Sequence, residues 1–224
     1  LAFFSKKADK TYQALLISLV LLILLPGFVE GMFWANRLLD LGLFGVFIFG
    51  ALTVKTEKRL FLPLIFFAGL AIITRGVLWF IEEVWVASAY LFSTGTFLLF
   101  ILFVFSRDVF LTKKIDANII YGSVCIYFFF GTLMAIVYMT IVVLNPGAFA
   151  FPFEPSENAS SIEISQLRNL FYYSFVTQTT LGFGDITPVA PIAKNLSILQ
   201  AITGQLYIAI LIARLMGLYL VQKK

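Results

Sequence analysis

An all-α membrane protein is predicted, with six transmembrane helices and a short re-entrant helix between the fifth and sixth. Three observations lead there. Of 224 residues, 61% are hydrophobic and 12% charged; soluble domains run nearer 45–50% and about 25%, so a water-soluble globule is excluded. The apolar residues fall in runs of membrane length, near 20 residues for about 30 Å of hydrocarbon. One further apolar run is too short to cross and leads into a glycine-rich stretch. Irregular backbone at membrane depth is tolerated only when buried in protein or lining a water-filled cavity.

Each long run is predicted to be a helix because lipid offers no partner for backbone N–H and C=O groups. Tyr12–Val29 follows Lys6, Lys7 and Lys10. It resembles a signal peptide in its basic lead and apolar centre, but no small-residue cleavage site follows, and it is read as a retained span. Leu38–Val54 is short and carries Asp40, and Leu60–Ile81 is interrupted by Arg75. Val84–Phe105 carries no charge, and Ile119–Leu144 is long enough to cross with some tilt. Asn195–Val221 is a polar-spotted helix with Gln200, Gln205 and Arg214.

Charge sets the orientation. With a cytoplasmic N-terminus and alternating spans, twelve of the sixteen basic residues but four of the twelve acidic ones fall inside. Trp34, Trp79 and Trp85 fall near outer span ends, as an interfacial belt requires. The net charge of +4 is therefore topology, and nucleic-acid binding is not expected. Both termini are placed in the cytoplasm, in a multi-pass protein of the plasma membrane. A single cysteine, Cys125, excludes an intrachain disulfide, and the absence of histidine excludes a His-based zinc site or a histidine pH switch. Residues 1–111 read as a four-span module and 112–224 as a second unit.

Between the last two spans, a turn-rich segment starting at Asn145-Pro146-Gly147 gives way to the apolar-aromatic stretch Leu167–Gln178. Its length suits a re-entrant helix, with Ser165 as N-cap. Thr179-Thr180-Leu181-Gly182-Phe183-Gly184-Asp185 follows directly. Glycines at alternate positions permit left-handed backbone angles, and a row of aligned carbonyls can replace the water shell of a cation. One chain supplies one wall, so a closed ring requires several copies around an axis.

Set between a short re-entrant helix and a final span, this T-x-G-x-G-D pattern resembles the pore region of the potassium-channel superfamily, over roughly Ile119–Val221. The resemblance implies a homotetramer in the lipid bilayer, with K+ as the permeant ion and no cofactor. It makes 112–224 a pore domain and places the K+-coordinating carbonyls on Thr180, Leu181, Gly182 and Phe183. The Thr180 hydroxyl adds the innermost ligand, Gly184 closes the outer end and Asp185 sits at the mouth. Leu181 and Phe183 stand where the family's commonest filter has Val and Tyr, and Phe183 lacks the hydroxyl that would tie the filter to its surroundings. Tyr172 and Tyr173 occupy the aromatic positions around the filter, either reaching its backbone or Asp185 or packing without such contact. Val176 stands where some members carry a glutamate paired with the aspartate. The re-entrant helix points its negative end at the membrane centre. Glu154, Glu157 and Glu163 either form a solvated loop or raise the local cation concentration. Asn158-Ala159-Ser160 matches a glycosylation sequon, a pattern too short to carry an argument.

Gly204 lies where the family often bends its inner helix; bending and close packing both account for it. Gln205, Ile208, Ile212 and Met216 follow three-to-four spacing and are expected to line the inner pore, Gln205 as a ring of amides under the filter and Ile212 or Met216 as an apolar gate. Arg214 is expected to face headgroups or a neighbouring helix. A voltage sensor needs about three or four basic residues in one span, and Val84–Phe105 has none. Strong voltage gating is not expected, and the gating ligand or partner is unknown. Arg75, with Glu82 and Glu83, is a candidate buried ion pair or, less simply, a sensor. The function expected is passive, potassium-selective conduction; a non-selective cation channel and a pore-loop potassium transporter are the alternatives. An enzyme is not expected, because no Ser/His/Asp set, metal cluster or phosphate loop is present.

Overall fold

The computed structural model describes residues 9–28, 35–53, 58–78, 80, 83–111, 117–152 and 164–222. In order these form α1 (Asp9–Phe28), α2 (Ala35–Thr53), α3 (Lys58–Leu78), α4 (Val84–Leu111), α5 (Ala117–Leu144), β1 (Phe149–Ala150), α6 (Ile164–Gln178), β2 (Thr187–Pro188) and α7 (Pro191–Gln222). Among the described residues, Phe61–Leu78, Val84–Leu111, Ile119–Leu144 and Pro191–Leu220 are long and apolar enough to cross a membrane. α1 and α2 contribute the shorter apolar runs Tyr12–Leu24 and Gly42–Ala51. The 15 residues of α6 reach about 22 Å at 1.5 Å per residue, short of the hydrocarbon thickness.

Of the boundaries that differ from the sequence reading, three bear on the packing of the site. α4 continues past Phe105 to Leu111 because Val109 is buried against α5, its Cγ2 3.4 Å from where a Cβ would stand on Gly122. α7 starts at Pro191, whose fixed φ and missing N–H suit a first helical turn. α6 starts at Ile164, which puts Ser165 inside the first turn instead of at the cap. Lys6, Lys7, Lys55, Lys113, Lys114, Lys223 and Lys224, Trp34 and Trp79, Glu82, Glu154, Glu157, Glu163 and the 158–160 sequon lie outside the described residues.

Aromatic rings join the helices. Tyr12 of α1 meets Phe105 of α4 with centroids 5.5 Å apart, and Phe105 meets Phe129 of α5 at 5.7 Å. Phe47 of α2 lies edge-on to Phe97 of α4 at 4.7 Å. α3 buries Leu64, Ala68, Ala71 and Arg75, a single helical stripe, and the Arg75 guanidinium lies 5.5 Å from the centre of the Tyr90 ring on α4. Such a cation–π contact suits a charge near lipid. Of the acids considered beside Arg75, Glu83 is exposed. Along α5 the hydroxyls of Ser123, Thr132 and Thr140 donate to carbonyls four residues earlier at 2.7, 2.9 and 2.9 Å, so they bring no unpaired polar group into the apolar interior.

At the C-terminal end of α5 the chain makes one short 3-10 turn and enters β1, which pairs antiparallel with β2, Phe149 opposite Pro188 and Ala150 opposite Thr187. The Val189 and Ala190 N–H groups both donate to the Ala148 carbonyl, at 2.8 and 3.1 Å. The chain entering the 145–191 segment is thereby bonded to the chain leaving it. Within this frame α6 packs against α5 and α7.

Candidate functional site

α6 ends in a Schellman turn. Leu181 N–H donates to the Val176 carbonyl and Thr180 N–H to the Thr177 carbonyl, both at 3.0 Å, the crossed pair that closes a helix through a left-handed residue. That residue is Thr180, with φ 60°. Glycine usually fills the position; an L-residue there costs about 1–2 kcal/mol, and a β-branched one is an outlier. Gly182 and Gly184 follow with φ 57° and 81°, while Leu181 and Phe183 keep the ordinary hand. An extended stretch of uniform hand alternates its carbonyls between two edges; alternating the hand brings successive carbonyls to one edge. Thr180 through Asp185 are all exposed in the single chain, and a Cβ on Gly182 or Gly184 would meet nothing within 4 Å.

The two tyrosines before this stretch separate. Tyr172 lies toward it, its ring stacked on Phe183 at 6.4 Å and 7°. Side-chain hydrogen bonding to Asp185 holds the Tyr172 phenol above its ordinary pKa; burial and the carboxylate charge add in the same direction. Tyr173 points away and is buried, its hydroxyl on Ser197 of α7 and its ring edge-on to Tyr138 and Phe149 at 5.2 and 5.1 Å. Val176 is buried and meets the glycine-rich stretch through its backbone carbonyl.

Behind the last turns of α6 lies a buried polar set that sequence reasoning missed. Gln200 on α7 donates from Nε2 to the Ser174 carbonyl at 3.0 Å, to Ser174 Oγ at 2.8 Å and to Gln178 Oε1 at 3.3 Å. Its Oε1 accepts from the Tyr138 hydroxyl at 2.7 Å. Gln178 Nε2 donates to the Tyr127 carbonyl at 2.8 Å, and Ser174 Oγ donates to the Gly131 carbonyl at 2.7 Å. Gln200, Ser174 and Tyr138 are 0% exposed and Gln178 1%. A signal was present: Ser174 and Gln178 are four apart in one apolar helix, and Ser197, Gln200, Gly204 and Tyr207 form a three-to-four stripe on another. Polar groups at helical spacing in lipid-facing sequence call for partners across helices.

Close approach makes these bonds possible. A Cβ on Gly204 would lie 2.4 Å from the Gln178 carbonyl oxygen and 2.9 Å from Gln178 Cγ. One on Gly131 would lie 2.6 Å from the Phe175 ring. Of the two readings of Gly204, the geometry supplies close packing, and α7 runs as one helix through it. One residue on, Gln205 Nε2 donates to Thr180 Oγ1 at 3.3 Å, so this amide lies directly at the start of the glycine-rich stretch. Ile208, Ile212 and Met216 are exposed in the single chain, as are Leu206, Ile210 and Tyr219 on other faces of α7. Arg214 lies with its guanidinium 5.2 Å from the centre of the Phe110 ring on α4, a neighbouring helix. Among the described residues no cluster of His, Cys, Asp and Glu could hold a metal ion.

Four described helices long and apolar enough to cross a membrane, with a short helix packed on α5 and α7 and ending in an exposed irregular stretch, fit a multi-pass membrane protein. A family model described as ion channel matches residues 41–220; the chain belongs to this ion-channel family. Searches of curated proteins and of solved structures gave no match.

Proposed function

We propose that the protein is a potassium-selective channel that conducts K+ passively through a homotetrameric pore in the plasma membrane. Each subunit contributes six spans with both termini cytoplasmic, α6 as pore helix and Thr180–Gly184 as filter. The observation that carries this reading is the alternation of hand at Thr180, Gly182 and Gly184 immediately beyond a helix C-terminus. It supports a row of carbonyls whose ligand is a cation, and the C-terminal end of α6 favours positive charge. An oligomer is supported by the open side, since polar backbone at membrane depth needs a water-filled lumen and copies around an axis enclose one; that there are four copies is what the resemblance to potassium channels implies. Asp185 stands at the outer mouth and Gln205 at the inner end of the filter, with Ile208, Ile212 and Met216 continuing down the lumen. The absence of charge from Val84–Phe105 supports weak voltage dependence.

The test is the reversal potential of purified protein in planar bilayers with K+ on one side and Na+ on the other. A value near the K+ equilibrium potential, with block by Ba2+, is expected. Current that reverses near zero would overturn potassium selectivity and make Leu181 and Phe183 the residues of a non-selective cation filter.

A further inference from the structure

Thr180 is held in a conformation that its side chain disfavours, and such residues persist only where their surroundings over-determine them. Its hydroxyl accepts from Gln205 Nε2 at 3.3 Å, a contact to the side chain that does not hold the backbone angle. The backbone constraint lies at the end of α6, where the N–H groups of Thr180 and Leu181 are bonded to the carbonyls of Thr177 and Val176. The last turn of α6 is in turn fixed from two sides. Gln178 reaches α5 through the Tyr127 carbonyl, and Gln200 of α7 reaches Ser174 and Gln178 while Tyr138 of α5 fixes the Gln200 carbonyl.

We propose that Gln200 and Gln178 are positioning residues for the filter: this buried amide pair holds the C-terminal turn of α6 in register and so keeps Thr180 left-handed. The inference rests on the proposed conduction through Thr180–Gly184. Gln200 has no contact with the permeating ion in this scheme and acts through Ser174 and Gln178. An amide suits the task because Nε2 donates toward α6 while Oε1 accepts from α5, so one side chain ties two helices. Leucine of similar size keeps the volume and loses both directions. It also leaves the Tyr138 hydroxyl without its acceptor in an apolar setting.

The experiment compares wild type, Gln200→Leu, Ser174→Ala and Tyr207→Phe as full chains in planar bilayers. K+/Na+ permeability ratio, unitary conductance and Ba2+ block are read, and assembly is checked by size exclusion. Tyr207→Phe is the control: it removes a hydrogen bond between α7 and α5 that the amide pair does not use, to the Ser123 carbonyl at 2.8 Å, and keeps the ring that packs on Tyr127. Gln200→Leu is expected to assemble, to lower the permeability ratio about tenfold and to weaken Ba2+ block; Ser174→Ala, which keeps the shape of the site, shifts both in the same direction by less. Tyr207→Phe leaves both at the wild-type value. If Gln200→Leu does not assemble, Ser174→Ala decides alone. An assembled variant with unchanged ratio, conductance and block overturns the inference, as does an equal shift in Tyr207→Phe. If wild type itself does not discriminate K+ from Na+, the proposed selectivity fails, and the positioning role is judged on conductance and Ba2+ block.

Discussion

Adding one methyl group at Gly204 tests the packing of α7 on the end of α6, beside the proposed filter, directly. The new Cβ would stand 2.4 Å from the Gln178 carbonyl oxygen; ordinary contact distances near 3.5 Å require the two helices to part by about 1 Å there. The Gln200 Nε2 bonds to Ser174, at 2.8 and 3.0 Å, would then exceed hydrogen-bonding distance. Overpacking costs about 1–3 kcal/mol and a buried amide left unpaired about 1–3 kcal/mol, while alanine regains about 1 kcal/mol of helix propensity. The balance for Gly204→Ala is a loss of about 3 kcal/mol. At 2–4 °C per kcal/mol for a chain of this size, the thermal midpoint of the solubilised protein falls by about 6–12 °C, read as the assembled fraction surviving heating. Gly69→Ala on α3 is the matched control, because a Cβ there meets nothing within 4 Å, and its midpoint should stay level or rise. If the two variants behave alike, the close approach of α7 to α6 is not what Gly204 provides. A Gly204→Ala protein of normal stability whose opening alone is altered would return the position to a bending role.

Two further substitutions probe the proposed filter and the helix before it. Thr180→Gly removes a left-handed threonine and should stabilise the fold by about 1–2 kcal/mol while costing the proposed K+/Na+ discrimination, because the hydroxyl proposed as innermost ligand goes with it; a gain in both would contradict the role proposed for that hydroxyl. Tyr172 gives a pH dependence. Its phenol titrates higher in the folded protein than in the unfolded chain, so the stabilisation is fully present below the ordinary phenol value, near 10, and is lost as pH rises through the folded value. Block by ions entering from the Asp185 side should be flat from pH 7 to 9 in wild type and change only above pH 10. Tyr172→Phe should show no alkaline step, and a step that persists in it assigns the titration to another group.

The helices were legible because each follows a mainly apolar run with few charges, and α6 because its run is too short to cross and leads into alternate glycines. Gly182 and Gly184 announced their own conformation. Thr180 did not: threonine argues against a left-handed angle, and only the Schellman bonds from residues 180 and 181 to 177 and 176 show why it is there. Tyr172 and Tyr173 are neighbours of one chemistry, and adjacent positions on a helix face directions about 100° apart, so their different surroundings follow from the placement of α5 and α7. Gln200 was visible as a polar spot without a partner, since its partners come from helices 22 to 62 residues away in sequence. Arg214 was read as facing headgroups or a neighbour; the helix it meets, through Phe110, is the extension of α4 beyond its apolar run.

The two-residue ladder between β1 and β2 has a mechanical consequence. It pins the chain just past the proposed filter, while the Schellman turn pins the first two residues of it. Thr180–Gly184 is thus a strut clamped at both ends, with its span set by the scaffold and not by its own side chains. Substitution within it alters one rung. Changing its residue count by one, worth about 3.3–3.6 Å of extended chain, would leave the ends unmoved and force every carbonyl between them out of step. In such a device the number of residues is held more tightly than their identity, which is how Leu181 and Phe183 can stand in the proposed filter.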